Sequence, residues 1–369
     1  MARAGLGTGW QCLFANDFDS KKGRVYAKNW GNTVLKLADI RTLDTSDIPH
    51  GADLAWASFP CQDLSLAGGG AGLRGERSGT FWPFMELMRK LASENRQPRL
   101  IGLENVCGTL TSHGGRDFSA ICDTVSQLGY AVGALVIDAV EFLPHSRPRL
   151  FIVCCDRRIE IPRVLQLTSP EPPWHPKSLR KAYDRLSPQS QDSWVWWRLP
   201  APEKRSLGLA DLLETDPKDV KWFTEEETTR LIGMMSPTNQ DKLASARSTG
   251  KQRVGMVYRR TRSSSEGIRV QRAEIRFDDV SGCLRTPAGG SSRQVVVIVE
   301  GSSVRARLIS ARETARLMGL PDSYILPERY NEAYHVTGDG VVVPVVRHLA
   351  TNLFEPLLNC SNFRINVAA

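Results

Sequence analysis

A doubly wound α/β domain joined to a second, smaller domain is the fold class this sequence predicts, and three observations predict it. The first is rhythm. From residue 1 to about 155, short apolar runs alternate with amphipathic stretches, the pattern of strands and helices around a parallel sheet. The second is a change of texture. Glu160 to about Thr261 is rich in proline early, keeps no clean period, and holds five of the nine tryptophans (174, 194, 196, 197 and 222). The third is charge. The chain carries 48 Lys+Arg against 40 Asp+Glu, a net of +8, and Asp156–Arg276 alone holds 23 basic and 16 acidic residues. Within it, Lys251–Arg276 holds eight basic residues and two acidic ones. A basic excess concentrated there points to a polyanionic partner, with plain solvated surface as the other reading.

Taken in order, the strand candidates of the first part are Gln11–Ala15, Asp53–Ser58, Leu100–Leu103, Val132–Asp138 and Leu150–Cys154. Helical patterns fill the intervals, notably Thr80–Glu94 and Asp117–Leu128. After the irregular region comes a strand at Gln294–Glu300. A helix then follows over Ser310–Met318, opened by a Ser-x-x-Glu capping box from Ser310 to Glu313. Val342–Leu358 reads as the last helix, entered at Pro344. The glycine run Gly68–Gly72 is not followed by Gly-Lys-Ser/Thr, so it is not a phosphate-binding P-loop.

The chain, at 369 residues, is long enough for two domains, and 41% hydrophobic with 24% charged residues is ordinary for a globular protein. No apolar run approaches ~20 residues, so no membrane span is expected. The amino terminus lacks an apolar signal segment. Eight cysteines (12, 61, 107, 122, 154, 155, 283 and 360) are scattered without paired or zinc-type spacing. Free thiols in a reducing cytoplasm are the expectation, with no metal site.

The chemistry-bearing residues follow two apolar runs. Asp53–Phe59 leads into Pro60-Cys61-Gln62, and Leu100–Leu103 leads into Glu104-Asn105-Val106. Ligands of an open α/β sheet bind outside the carboxyl ends of its strands, so thiol and carboxylate would arrive on one edge. A cysteine nucleophile beside a carboxylic acid suits addition to, and protonation of, an aromatic ring that does not otherwise react. A free thiol is only a few per cent thiolate at neutral pH, so neighbouring basic groups or a helix end would have to activate it.

Phe59-Pro60-Cys61-Gln62, Glu104-Asn105-Val106, Arg147-Pro148-Arg149, Arg312-Glu313-x-x-Arg316-Leu317-Met318-Gly319-x-Pro321 and Gly338-Asp339-Gly340-Val341 occur in this order. Together they resemble the cytosine-5 DNA methyltransferase family of bacterial type, from Gly5 to about Leu358. The resemblance implies a Rossmann-like, S-adenosylmethionine-dependent methyltransferase domain at 1–156. It also implies a target-recognition domain at 157–300 and a segment, 301–369, returning to the first. Cys61 would add to C6 of cytosine, making C5 nucleophilic. Glu104 would hold N3 and the exocyclic amine from a pocket that raises its pKa, and Arg149, with Arg147 behind it, would hold O2. The target base must be flipped out, because C6 is unreachable inside a stacked duplex.

The same resemblance implies that Asp17 takes the ribose hydroxyls of S-adenosylmethionine, Phe18 stacks on adenine, and Asp39-Ile40 read its edge. Pro60, Phe81, Asp339 and Gly340 line the remaining pocket. Gln62, Arg74 and Arg77, beside the glycine-rich loop, with Arg259 and Arg260, would contact double-stranded DNA. Trp196 and Trp197 read equally as DNA contacts or core. The partners implied are duplex DNA and, in a restriction-modification role, a cognate restriction endonuclease. The chain is expected to act as a monomer in a bacterial cytoplasm, associated with the nucleoid through DNA.

Three departures from the family stand out. Met1–Leu6 matches only the segment after the family's first strand and its Phe-x-Gly-x-Gly turn. That leaves two expectations, a true start upstream or a truncated, inactive DNA-binding remnant. Asp339 stands where the family usually has Asn, and His145 where it usually has Gln. An RNA cytosine-5 methyltransferase shares these motifs, generally with a much shorter target region.

Overall fold

The computed structural model describes residues 1–59, 80–263, 269–285 and 293–359. Pro60, Cys61, Gln62, Arg74, Arg77 and the glycine run lie outside the described residues. Contacts divide the chain into two compact units: residues 2–138, 148–202 and 345–369 form the first, and Met1, 139–147 and 203–344 the second.

In the first unit, α1 (Ala2–Leu6) precedes β1 (Ala15–Asp17), α2 (Ser20–Trp30) and β2 (Leu35–Leu37). Then come β3 (Leu54–Ser58), α3 (Phe81–Ser93), β4 (Leu100–Val106), α4 (Arg116–Gln127), β5 (Tyr130–Asp138) and β6 (Pro148–Asp156). The short β7 (Gln166–Leu167), α5 (Lys177–Tyr183), α6 (Pro188–Asp192) and β8 (Trp196–Trp197) follow. Alternation of strand and helix gives the α/β architecture the sequence predicts. Leu100 to Asn105 are all buried, as expected of a strand covered on both faces.

The sheet is mixed, which corrects the expectation of a wholly parallel one. Its order is β3-β4-β6-β5; β3 runs parallel to β4, but β6 is antiparallel to both β4 and β5. Parallel neighbours need a crossover of a dozen or more residues, and only residues 139–147 separate β5 from β6. Strands buried on both faces carry no directional signal in sequence. β1 and β2 form a separate parallel two-stranded sheet. The predicted strand at Gln11 begins only at Ala15, where Leu35 supplies a ladder partner. Upstream, Trp10 donates to Glu355 and packs edge-on against Phe354 instead.

Residues 157–202 belong to the first unit by contact, rather than parting from it at Asp156. The reason is aromatic. Trp174, Trp196 and Trp197 are buried, and Trp194, Trp196 and Tyr183 pack ring to ring. Trp197 donates to the Val153 carbonyl, and Gly133 makes room for it: a Cβ there would lie 2.5 Å from its Nε1. Trp196 and Trp197 are therefore core, the second of their two readings.

The second unit carries α7 (Glu225–Gly233), α8 (Pro237–Ser248), β9 (Arg253–Ser263), β10 (Arg269–Arg276), β11 (Val295–Glu300), β12 (Ser303–Leu308), α9 (Ala311–Leu317) and α10 (Tyr330–Asp339). Its antiparallel sheet has the order β10-β9-β11-β12. Val257, Ala273, Ile275, Val295 and Val297 pack against Leu231 and Leu243 of the helices. The predicted capping box is present: Ser310 accepts from the Glu313 N–H, and Glu313 accepts from the Ser310 N–H. Finally α11 (Val343–Leu349), a π-helical turn (Ala350–Phe354) and α12 (Glu355–Asn359) complete the described chain.

One stretch, Tyr330–Asn359, is long and apolar enough for a membrane span by composition, against the sequence expectation. It is interrupted between Asp339 and Val343, and Leu349, Leu353, Phe354 and Leu357 are buried. That is how a core helix passes the same test. Among the described residues all six cysteines are free, and no group of His, Cys, Asp and Glu could hold a metal ion.

Candidate active site

Ladder register decides what meets at the carboxyl edge of the sheet. Ser58, the last residue of β3, pairs with Glu104 of β4, and Val106 pairs with Arg149 of β6. Glu104 and Arg149 are thereby brought together, with Arg149 Nε 3.2 Å from Glu104 Oε1 and side chains only 15% and 8% exposed. Asn105 fixes the neighbouring strand end: its side-chain NH2 donates to the Phe59 carbonyl at 3.2 Å, and its oxygen accepts from the Val106 N–H. Phe59 is the last described residue before Pro60-Cys61. The carboxylate therefore lies beside the strand that leads to the thiol.

Cys107, one residue past Val106, is a second thiol at this edge. Burial pushes its pKa up to about 11, with Arg149 opposing. It is a neutral thiol at pH 7 and a poor nucleophile.

Arg147 and Arg149 have different surroundings. Arg147 is 2% exposed, and its guanidinium donates to the carbonyls of Leu284 (2.8 Å), Gly338 (2.7 Å) and Gly340 (2.9 Å). It holds backbone segments of the second unit in place, so it is a positioning residue rather than a group at the reacting ring. His145 does related work there. Its Nδ1–H donates to the Leu317 carbonyl and its Nε2 accepts from the Leu284 N–H. That use of both ring nitrogens accounts for a histidine at this position. Sequence reasoning missed this buried role; the carbonyls it serves lie far along the chain.

The expected cofactor residues divide between the units. Asp17 ends β1 and Asp39 follows its parallel neighbour β2, since Asp17 pairs with Leu37. Burial raises the Asp17 pKa, while Asp17 Oδ1 accepts from the Asp19 N–H at 2.9 Å. Phe18 is 74% exposed, an open aromatic face beside that carboxylate. Asp39 accepts from the Arg41 N–H, and Ile40 is half-buried. Phe81 is fully buried against Phe59, ring centroids 5.4 Å apart, so it is packed in the core rather than presented on an open wall. In the second unit, Asp339 ends α10 exposed. A Cβ on Gly340 would meet the Met1 sulfur at 2.1 Å, so a side chain there would have to displace the Met1 side chain.

Of the expected DNA contacts, Arg260 is exposed on β9, 3.5 Å from Glu274 of β10. Arg259 is half-buried, and burial followed by the like charge of Arg293 lowers its pKa.

Residues 2–355 match the C-5 cytosine-specific DNA methylase family, and the chain belongs to it. It is similar to the type II methyltransferase M.Bsp6I of Bacillus sp. (strain RFL6), 26% identical over 95% of this chain and 93% of the relative. It is also similar to M.NgoBI of Neisseria gonorrhoeae, 28% identical over 94% and 88%. The solved structure of the Entamoeba histolytica methyltransferase EhMeth shares the fold, with a TM-score of 0.62 at 12% identity, covering 96% of this chain and 95% of that one. The family's methyl donor is S-adenosylmethionine. The residues present suit it: Phe18 offers an exposed face for an adenine, and Asp17 a carboxylate for hydroxyl donors.

Proposed function

We propose that this chain methylates C5 of cytosine in double-stranded DNA through a covalent Cys61–C6 adduct. The observation that carries the reading is the Glu104–Arg149 pair, set by register beside the strand that leads to Cys61. C5 of cytosine is too weak a nucleophile to take a methyl group unaided. The Cys61 thiolate forms an S–C6 bond, and the ring's electron pair moves toward N3 and C5. Glu104 holds the ring at N3 and the exocyclic amine and supplies the hydrogen bond that draws this density. Arg149, already oriented by Glu104, donates to O2. Arg147 keeps the backbone of the second unit in register and touches no reacting atom. When bound, S-adenosylmethionine supplies an electrophilic methyl group. Loss of the C5 proton to a water-borne base then expels the Cys61 thiolate and restores the ring. The target cytosine must leave the stack to reach this edge. Asp17 and Phe18 would hold the cofactor's ribose and adenine, and Arg259 and Arg260 the DNA. Service in a restriction-modification pair is the biological setting we favour, given the type II relatives.

The test is transfer of labelled methyl from S-adenosylmethionine to unmethylated plasmid DNA, with tRNA as competitor. Label on DNA cytosine, lost in Cys61→Ser, supports the reading; label on tRNA alone overturns it. A second reading, DNA binding without methyl transfer, has one observation behind it. β1 and β2, which carry Asp17 and precede Asp39, share no ladder with the four-stranded sheet. Calorimetry with S-adenosylhomocysteine separates the two, because only the enzyme binds it.

A further inference from the structure

Just past the carboxyl end of β4, the chain turns through Cys107–Leu110 and opens a cleft of about 390 Å³. Buried Leu110 and Ala182 form its floor, and Lys177, Lys181 and Arg185 rim it, all three exposed. Lys177 and Lys181 stand four apart on α5, on one face of the helix. Arg185 continues the stripe and is held there, its guanidinium donating to the Gly114 carbonyl at 2.7 Å. The adjoining Gly115 has a φ of +95°, a backbone conformation that suits glycine. Arg116 is exposed two residues beyond Gly114. The acids nearby do not cancel this charge. Asp117 is buried and bound by Ser112 and His113, and between Glu171 and Arg185 the exposed carboxylates are Glu171 and Asp184, against exposed Lys177, Arg180, Lys181 and Arg185.

We infer that this basic cleft, in the first unit, binds the phosphate backbone of the duplex flanking the target cytosine. The inference rests on the DNA-methylating reading above. Leu110 and Thr111, which line the cleft, lie four and five residues past the end of β4, the strand that bears Glu104, so a backbone passing that strand end has the cleft within the same segment. The ligand chemistry fits. Lysines present point charges suited to phosphate, and a tethered guanidinium loses little freedom on binding. The cleft exceeds the ~30 Å³ share of one water by an order of magnitude, room for a sugar–phosphate unit. The binding role thus extends beyond the basic β9–β10 hairpin to a second basic surface, on α5 and the turn after it.

The experiment is fluorescence anisotropy with a mixed-sequence duplex of roughly 30 base pairs, between roughly 50 and 200 mM NaCl, because each neutralised phosphate adds about 0.9 to the log–log salt slope. Wild type is compared with Lys177→Ala/Lys181→Ala and with Lys177→Arg/Lys181→Arg. The inference predicts a slope lower by about 2 in the alanine variant, so that wild-type affinity falls about tenfold further than the variant's across that range. The arginine variant should keep the wild-type slope. Equal slopes in all three proteins, with wild type binding DNA, would overturn the cleft alone. No duplex binding by wild type would overturn the DNA-methylating reading and the cleft with it. Both lysines are exposed, so an unchanged thermal transition is expected and confirms that the comparison is between folded proteins.

Discussion

In the second unit, Arg307 and Glu313 meet through two contacts, 2.6 and 2.8 Å, with side chains 0% and 1% exposed. In the first, Arg149 and Glu104 meet at 3.2 Å, longer than a usual charge-assisted contact, with side chains 15% and 8% exposed. Around Glu313 the remaining polar capacity is filled: it accepts from the N–H of Ser310 and of Glu214, and Arg307 also reaches the Glu214 carbonyl and packs over Trp222. Such a pair is an architectural joint, fixing β12 to α9. The looser pair at the edge of β4 has its orientation set by the ladder. The same two functional groups form a joint where they are fully enclosed, and in our proposal the looser pair serves the reaction.

Substitutions at the two pairs should therefore part along different axes. The largest expected effect is Glu104→Ala, which should lower kcat by about a thousandfold, as for loss of a positioned acid. Its urea unfolding midpoint should stay near wild type. Glu313→Ala should do the reverse, leaving buried Arg307 uncompensated and costing about 3–5 kcal/mol in urea titrations. Replacing Arg307 and Glu313 together by methionine and leucine should recover most of that loss; if it does not, the pair has a role beyond fastening. Next, Arg147→Ala strands two buried carbonyls and a part-buried one, and should lower stability by about 3 kcal/mol. Arg149→Lys keeps the charge but not the fork, and should lower kcat by roughly tenfold to a hundredfold with little change in melting temperature. The smallest effect is expected for Cys107→Ser: activity within about twofold of wild type, since its pKa near 11 leaves it protonated.

The Arg147–Arg149 contrast also marks how far the sequence could be read. Residues two apart on a strand share a face, which suggests twin roles for the two arginines. β6 begins only at Pro148, and Arg147 belongs by contact to the other unit. Nothing local announces that, because its partners, Leu284, Gly338 and Gly340, lie far along the chain. The strand ends that bear Glu104 and lead to Cys61 were legible, since apolar runs ending in polar residues need no tertiary context. The direction of β5 and β6 was not. Nor was the first unit's hold on residues 157–202, which depends on tryptophans whose burial composition alone left open. Arg312, Glu313 and Arg316 were legible as a motif but not in role. Arg312 donates to the Tyr324 carbonyl and Arg316 forks onto Asp322, so the helix is a fastened element.

The most direct measurement uses duplex DNA in which 5-fluorocytosine replaces cytosine, incubated with the protein and S-adenosylmethionine. Fluorine at C5 cannot leave as a proton does, so an adduct at C6 is trapped. The expected result is a protein–DNA complex that survives denaturation in wild type and in Cys107→Ser, and is absent in Cys61→Ser. A complex that persists in Cys61→Ser, or that forms with none of the three proteins while DNA is still bound, would contradict the account.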